Sequence, residues 1–192
     1  MKKTFEPVLP AGYREALLID AGNARFGILM NIAALLLTVL ILVVVVPHLH
    51  LTSFTLIFSF LKMFVFLLLL LGYLVAHELV HGIAYKLLTG QKLTFGFTLT
   101  VAYCGVPEIY VYRRTALISL LAPFTVFTLL FGALMLGLDD PVWKLVFAFL
   151  LAIHIGGCVG DLYDTFLYLF RFRDPDTLMN DTGPAQRFYV KE

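Results

Sequence analysis

Charged residues are scarce in this sequence. Lysine, arginine, aspartate and glutamate make up 14% of its 192 residues and hydrophobic residues 60%, whereas soluble globular domains carry about 25% charged residues. The mean hydropathy is +0.91. This balance excludes a large soluble domain and predicts an integral membrane protein. We therefore expect membrane lipid around the chain and no nucleic-acid partner.

Cysteine is scarce as well, and the N-terminal region has no cleavage signal. Cys104 and Cys158 are the only cysteines, and there is no Cys-x-x-Cys, so a structural disulfide is not expected. Apolar sequence begins only after some 25 residues, and no small-x-small pattern follows it. We expect no signal peptide, and the first apolar run should remain in the mature protein.

Long apolar runs are what the sequence has in abundance. Four of them are long enough to cross a bilayer, which takes about 20 helical residues. They cover residues 26–46, 60–88, 115–138 and 141–170. Asp139 and Asp140 can cap the fourth helix, and Pro141 suits its first turn. The expected fold is an all-α polytopic membrane protein with about four transmembrane helices.

The basic residues predict how these helices are oriented. Twelve of the 14 lysines and arginines precede the first run, separate the second from the third, or follow the fourth. Because positive charge accumulates on the cytoplasmic side, we expect a multi-pass protein of the cell membrane with both termini in the cytoplasm. In this prediction residues 1–25 are a cytoplasmic segment, residues 26–170 are the membrane domain with a cytoplasmic loop at 89–114, and residues 171–192 are a tail that is loosely ordered from Arg173.

Ionisable side chains interrupt the second apolar run. His77-Glu78-Leu79-Val80-His81 matches H-E-x-x-H, and residues four apart share one face of a helix. Both imidazoles can then bind one Zn²⁺, while Glu78 takes a proton from a metal-bound water. A hydrogen-bonded structural role is the plainer alternative. However, one ionisable group at the centre of a membrane helix costs about 2.5–3.5 kcal/mol, so three within five residues favour a metal site.

The fourth apolar run offers a third ligand, which a catalytic zinc site typically needs. His154, Cys158 and Asp161 are spaced to share one helical face. Asp161 is the preferred ligand, because a carboxylate completes a two-His-one-acid set at the depth of His77. His154 lies about 10 Å deeper and suits a water path, whereas packing is the expected role of Cys158.

Two further features of the fourth run bear on the site. Asp164 is the second choice of ligand, although a position near the surface beside Arg171 and Arg173 is the plainer account of it. Small residues let membrane helices approach closely, which predicts contact between the second and fourth helices. The glycines concerned are Gly82, Gly156, Gly157 and Gly160.

The loop between the second and third runs predicts strands. Residues 93–101 alternate apolar with small or polar side chains, which is typical of a β-strand. Residues 104–107 can turn the chain, and residues 109–112 can return as a second strand. A shorter strand at 13–19 can join this small cytoplasmic sheet. Its exposed edge can hold an extended substrate segment through main-chain hydrogen bonds, or the hairpin simply covers the helix ends.

Taken together, these motifs resemble those of the zincin membrane peptidases, a family of small bacterial proteins similar to site-2 proteases. The resemblance extends over residues 9–170. It is carried by His77-Glu78-x-x-His81-Gly82, Tyr103-Cys104 before a basic stretch, Leu121-Ala122-Pro123-Phe124 and Gly160-Asp161.

The resemblance implies zinc ligation by His77, His81 and Asp161, with Glu78 as the catalytic acid and base. It also implies a three-helix core to which the first helix is an addition. The sequence departs from the site-2 protease pattern after Pro123, where no asparagine follows. Thr125 is a weak candidate for stabilising the oxyanion.

Three hypotheses about function follow. The leading one is a membrane-embedded zinc metalloprotease that cleaves a membrane-anchored protein in or near its membrane segment. The second is a non-catalytic scaffold that keeps the zinc fold. The third is a metal transporter or a haem-binding bundle that uses His77, His81 and His154. The sequence shows no broken half-helix pair of the kind transporters use, and histidines four apart on one helix suit a compact ion better than a flat porphyrin.

Overall fold

The structure, a computed structural model, describes residues 3–49, 60–98 and 102–192. Helices account for most of these residues. They are α1 (Ala24–Val45, followed by a 3₁₀ turn at Val46–Leu49), α2 (Phe60–Thr89), α3 (Arg113–Gly137), α4 (Pro141–Gly157) and α5 (Val159–Phe170). The strands are β1 (Phe5–Glu6), β2 (Tyr13–Asp20), β3 (Thr94–Phe97), β4 (Ala102–Gly105), β5 (Tyr110–Tyr112), β6 (Leu178–Asp181) and β7 (Ala185–Lys191).

Three of the described helices are long and apolar enough to cross a membrane, and a broken pair makes up to four. The three cover Ala24–Leu49, Met63–Thr89 and Arg113–Gly137. The fold is thus mostly helical rather than all-α, because the described residues also form seven strands, and it is compatible with a membrane protein. The start of the fourth helix is also as predicted, because the Asp140 carboxylate accepts hydrogen bonds from the amides of Val142 and Trp143.

The fourth apolar run is not one helix. It divides into α4 and α5 at Cys158, whose amide donates to the His154 carbonyl 3.0 Å away. Glycines on both sides of Cys158 weaken helix propagation there. The prediction of a continuous helix is therefore wrong, and so is the expectation that this chain has no broken helix pair. His154 and Asp161 belong to different helices.

The chain divides into two compact units. The first combines residues 1–30, 77–123 and 160–192. It contains an antiparallel five-stranded sheet in the order β1-β5-β6-β7-β2. The last two strands in sequence pair with each other and with β5 and β2, so the prediction of a loosely ordered end after Arg173 is wrong. Buried side chains such as Leu178, Met179 and Phe188 make this end part of a core.

The predicted hairpin is present with a different partner. β3 pairs with β4, so that Phe95 lies opposite Cys104. The predicted return strand, β5, instead pairs with β1 and β6 in the five-stranded sheet, and β2 joins that sheet through β7 rather than the hairpin. The predicted strand at 93–101 extends into residues 99–101, which lie outside the described residues.

The hydrophobic core of the first unit lies between its sheet and its helices. It is formed by fully buried or nearly buried side chains from β2, α2, α3, α5 and the strands of the sheet. These are Ile19, Tyr85, Val106, Ile109, Val111, Ala116, Leu120, Leu167, Tyr168, Phe172, Met179 and Phe188. Two of them, Tyr85 and Tyr168, carry hydroxyl groups into this core.

The second unit combines residues 31–76 and 124–159 and is helical where it is described. The Thr38 hydroxyl on α1 donates to the Ala152 carbonyl on α4 at 3.3 Å. A Cβ on Gly156 would clash with Thr38 and with the Ala34 carbonyl, so this glycine lets α1 approach α4. The predicted use of Gly156 between the second and fourth helices is therefore wrong.

Gly82 also has a different role from the predicted one. A Cβ at this position would lie 2.7 Å from the Phe95 ring and 3.2 Å from Leu93. The glycine thus allows β3 to lie against α2. Gly160 has open space where a Cβ would stand, which gives no sign of close helix packing there.

Candidate metal centre

The C-terminal half of α2 is polar on its buried face. His77, His81, Tyr85 and Thr89 follow one another at intervals of four residues, and all are buried. Leucine, isoleucine and valine side chains on the opposite face are exposed. This pattern is inverted relative to a soluble helix, and polar residues of membrane helices characteristically face the protein interior.

α2 and α5 bring three potential ligand groups together. One ligand atom from each of His77, His81 and Asp161 lies within 4.8 Å of the others. The Asp161 Oδ2 atom is 3.5 Å from the His77 Nε2 atom and 3.4 Å from the His81 Nε2 atom. The two imidazole rings are 5.1 Å apart between centroids. The spacing of four residues and a carboxylate on the first turn of α5 produce this arrangement.

His81 is held by hydrogen bonds to α3. Its Nδ1 atom is 2.9 Å from the Ser119 carbonyl oxygen. Because a carbonyl only accepts, Nδ1 carries the hydrogen, and in the neutral ring Nε2 keeps its lone pair toward Asp161. The Ser119 hydroxyl donates in turn to the His81 carbonyl at 3.3 Å. This is the support that metal-binding histidines commonly receive.

The geometry of these groups fits a zinc ion. Charge-assisted N–H···O hydrogen bonds are about 2.7–2.9 Å long, so distances of 3.4 and 3.5 Å are too long for good pairing. Two ligands held about 2.05 Å from a tetrahedral ion lie about 3.3 Å apart, which is close to the two distances between Asp161 and the imidazoles. Two imidazoles and a carboxylate are also a donor set that zinc accepts.

Glu78 lies beside the three potential ligands and faces the hairpin. It is half-buried, and the backbone N–H of Cys104 is a hydrogen-bond donor to its carboxylate. The Cys104 thiol is buried, and burial, together with the charges of Asp181 and Glu78, raises its pKa to about 12. The thiol therefore stays protonated at neutral pH.

A family model described as "Putative zincin peptidase" matches residues 70–175. This span is more than half of the chain and contains all three potential ligands and Glu78. The chain belongs to this zincin peptidase family. The resemblance inferred from the motifs is thereby confirmed, and membership supports a zinc metallopeptidase. No curated protein matches the chain, and no solved structure matches it.

Asp164, the second choice of ligand in this zincin peptidase, lies outside the triad. It is only 4% exposed, so the expectation of a surface position beside Arg171 and Arg173 is wrong. It shares the buried face of α5 with Thr165 and Tyr168. Asp161 is thus the first of several polar residues on one side of this short helix.

The other sequence-predicted candidates lie in the second unit. The His154 ring is fully buried. Its Nδ1 atom is 3.0 Å from the Tyr73 hydroxyl, and its Nε2 atom is 3.3 Å from the Phe124 carbonyl and 3.2 Å from the Thr128 hydroxyl. Cys158 Sγ lies 3.6 Å from the same ring. Thr125, on α3, is exposed, and its role toward an oxyanion stays a prediction.

Sequence reasoning missed two groups that support the site. The Ser119 carbonyl is a backbone group, so the residue type at this position gives no indication of its role. Asp181 is buried and accepts a 2.7 Å hydrogen bond from the Tyr85 hydroxyl. The position of Tyr85, four residues after His81 on the same face, was a usable signal for a polar partner, but the sequence gives no indication that the partner comes from the C-terminal strands.

Proposed function

We propose that this protein is a membrane-embedded zinc metalloprotease that hydrolyses a peptide bond in or near the membrane segment of its substrate. The observation that carries the proposal is the convergence of His77, His81 and Asp161 within 4.8 Å, with Glu78 beside them. Membership of the zincin peptidase family supports the same chemistry.

The chain's own residues supply ligands and a base. His77, His81 and Asp161 would hold the metal, and the hydrogen bond from His81 to the Ser119 carbonyl fixes which ring nitrogen faces it. A zinc ion held there would supply Lewis-acid chemistry toward water and the scissile carbonyl. Glu78 accepts a proton from the attacking water and returns it to the leaving amine.

The hairpin beside Glu78 suits the binding of an extended substrate. β3 and β4 form a two-stranded sheet, with no further strand assigned to it among the described residues. A protease needs its target unwound, because helical peptide bonds are shielded by their own hydrogen bonds. A segment that pairs with this sheet would be held extended by main-chain hydrogen bonds. We therefore propose a membrane-anchored protein as the substrate.

The proposed location is the cell membrane, with both termini in the cytoplasm. Its support is the distribution of lysine and arginine described above together with the apolar helices. In this orientation the five-stranded sheet and the hairpin are cytoplasmic. Cleavage would then take place in the half of the bilayer that faces the cytoplasm.

Glu78→Gln tests catalysis separately from metal binding. The purified variant should keep one equivalent of zinc, because the amide replaces a side chain that is not a ligand. Its rate of cleavage of single-span membrane proteins in liposomes should fall by about 100-fold to 10,000-fold, the usual contribution of a general acid and base. Glu108→Gln, the same change at an exposed loop carboxylate, is the matched control.

The alternatives predict different results in the same preparations. A scaffold would give equal cleavage, or none, in wild type and Glu78→Gln while both retain zinc. A transporter would move zinc into sealed vesicles. This assay is needed because many transporters bind their substrates at broken helices, and this chain has a break between α4 and α5. Zinc uptake that depends on His77 and His81, without cleavage of any substrate, would contradict the protease proposal.

A further inference from the structure

Asp181 joins three parts of the first unit through hydrogen bonds. One carboxylate oxygen accepts from the Tyr85 hydroxyl on α2 at 2.7 Å, and the other accepts from the Gly183 amide at 2.9 Å. Its backbone carbonyl accepts from the Val106 amide, just after β4, at 2.8 Å. A single buried residue at the end of β6 therefore connects the metal-site helix, the β6–β7 turn and the hairpin.

The contact between β4 and the β6–β7 turn is close. A Cβ on Gly105 would clash with the backbone of residues 181–183, so the two chains approach backbone to backbone. Gly183 has a φ of +97°, which a side chain would strain. A Cβ there would also clash with the Tyr103 ring. The position of β4 is thus set by this turn as well as by β3.

β4 in turn contacts the proposed catalytic base. The Cys104 amide, which donates to the Glu78 carboxylate, is two residues before Val106. Tyr85 is seven residues after Glu78, two helical turns along the same side of α2. Asp181 therefore holds both the helix that carries Glu78 and the strand that contacts it.

We infer that Asp181, through Tyr85 and the end of β4, is a positioning residue that fixes the Cys104 amide against Glu78. This deepens the proposed function and rests on it. Asp181 lies beyond the matched span of residues 70–175, so the inference assigns part of the catalytic geometry to the C-terminal strands. The cost of a carboxylate buried in a core is consistent with a functional reason for keeping it.

The test compares Asp181→Ala, Asp181→Asn and Tyr85→Phe in the full-length protein. Alanine removes both side-chain hydrogen bonds, and we expect kcat to fall by about 10-fold to 100-fold, the usual cost of losing a supporting residue, with KM and zinc affinity unchanged. Asparagine offers an oxygen to Gly183 and an N–H to Tyr85, so it should restore most of kcat. Tyr85→Phe should resemble the alanine variant.

Alkylation of Cys104 gives a second measurement that does not depend on activity. Cys104 is only 6% exposed. Loss of the Gly183 hydrogen bond in Asp181→Ala should loosen the β6–β7 turn and with it β4, and so speed modification of the thiol in the folded protein, as followed by peptide mass spectrometry. Phe188→Leu is the stability control, because it loosens the same sheet core without touching Asp181. It should lower the unfolding temperature and leave kcat and Cys104 reactivity as in wild type.

The outcomes separate this inference from the proposed function. If Glu78→Gln abolishes cleavage while Asp181→Ala keeps wild-type kcat, the inference is wrong and the protease stands. Unchanged Cys104 reactivity in Asp181→Ala also overturns the inference. If Glu78→Gln cleaves as fast as wild type, the proposed function fails instead, and faster alkylation in Asp181→Ala then supports only the link between Asp181 and β4.

Discussion

Two buried histidines in this chain have different surroundings. His81, on α2, donates from Nδ1 to a backbone carbonyl and directs Nε2 toward the Asp161 carboxylate, 3.4 Å away. His154, on α4, has a hydroxyl at Nδ1 and a carbonyl and a hydroxyl at Nε2. Aromatic rings surround it, among them Tyr73 at 5.5 Å and Phe127 at 5.7 Å between centroids.

The difference lies in what each ring nitrogen contacts, and it bears on which of the two histidines is suited to bind a metal. A ring whose two nitrogens are engaged by neutral donors and acceptors is satisfied without an ion. A ring with one nitrogen fixed by a carbonyl presents the other to a metal. Residue type and burial are shared by His81 and His154, so only the partners of each nitrogen distinguish the two roles.

The largest expected effect is the loss of zinc when a ligand is removed. Asp161→Ala deletes the only carboxylate of the triad, and two histidines alone do not complete a typical protein zinc site. The purified variant should hold less than a tenth of an equivalent of zinc after dialysis. Each 1.4 kcal/mol of lost binding free energy raises the dissociation constant for zinc about tenfold. The zinc content is measured by mass spectrometry. Asp164→Ala is the control, and it should retain zinc.

His154→Ala should give the opposite result. Its zinc content should remain at one equivalent, whereas the free energy of unfolding should fall by about 2–5 kcal/mol, because a buried ring and its hydrogen bonds are lost. Unfolding in mixed detergent micelles measures the second quantity. If this variant lost zinc while Asp161→Ala retained it, His154 rather than Asp161 would be the zinc ligand.

Asp181 should make stability depend on pH in a known direction. Burial raises its pKa from 3.8 to about 6, against the opposing effects of the Tyr85 and Gly183 hydrogen bonds and of His81, while Asp161 adds to the rise. Between these values the folded protein holds a proton that the unfolded chain has lost. The free energy of unfolding should therefore fall by about 2 kcal/mol as the pH rises from 4 to 6.

Asp181→Asn provides the comparison for this prediction. The amide does not titrate, so the difference in unfolding free energy between wild type and the variant should shrink as the pH rises through the same window. The other buried titratable groups are present in both proteins, so their contributions to the pH dependence cancel from the difference. These groups are Tyr85, Cys104, Asp164 and Tyr168. A difference that grows with pH would mean that burial does not dominate the pKa of Asp181.

The smallest expected effect is at Gly82. A methyl group there would meet the Phe95 ring, which can move because it is the far end of a side chain. Gly82→Ala should lower the free energy of unfolding by about 1–3 kcal/mol, as overpacking does, and leave zinc bound. Adding Phe95→Ala should recover much of the loss. If stability is not recovered in the double variant, contact with the Phe95 ring is not the reason for the glycine at position 82.

Most of the helices and the shared face of His77 and His81 could be predicted because their signals are local, whereas ligation of a metal by these residues and Asp161 stays a prediction. Apolar runs fix the spans, and the spacing of His77 and His81 fixes a shared face. The pairing of β5 and the order of residues 178–191 could not be predicted, because partners far apart in sequence decide them. The break at Cys158 was also missed, since a run of glycines is equally compatible with close helix packing and with a helix end.

The most direct test of the central claim is zinc X-ray absorption spectroscopy on the purified protein. We predict a first shell of nitrogen and oxygen alone at about 2.0–2.2 Å, with the outer-shell signature of two imidazoles. A sulfur scatterer at about 2.3 Å, or three imidazoles, would contradict ligation by His77, His81 and Asp161.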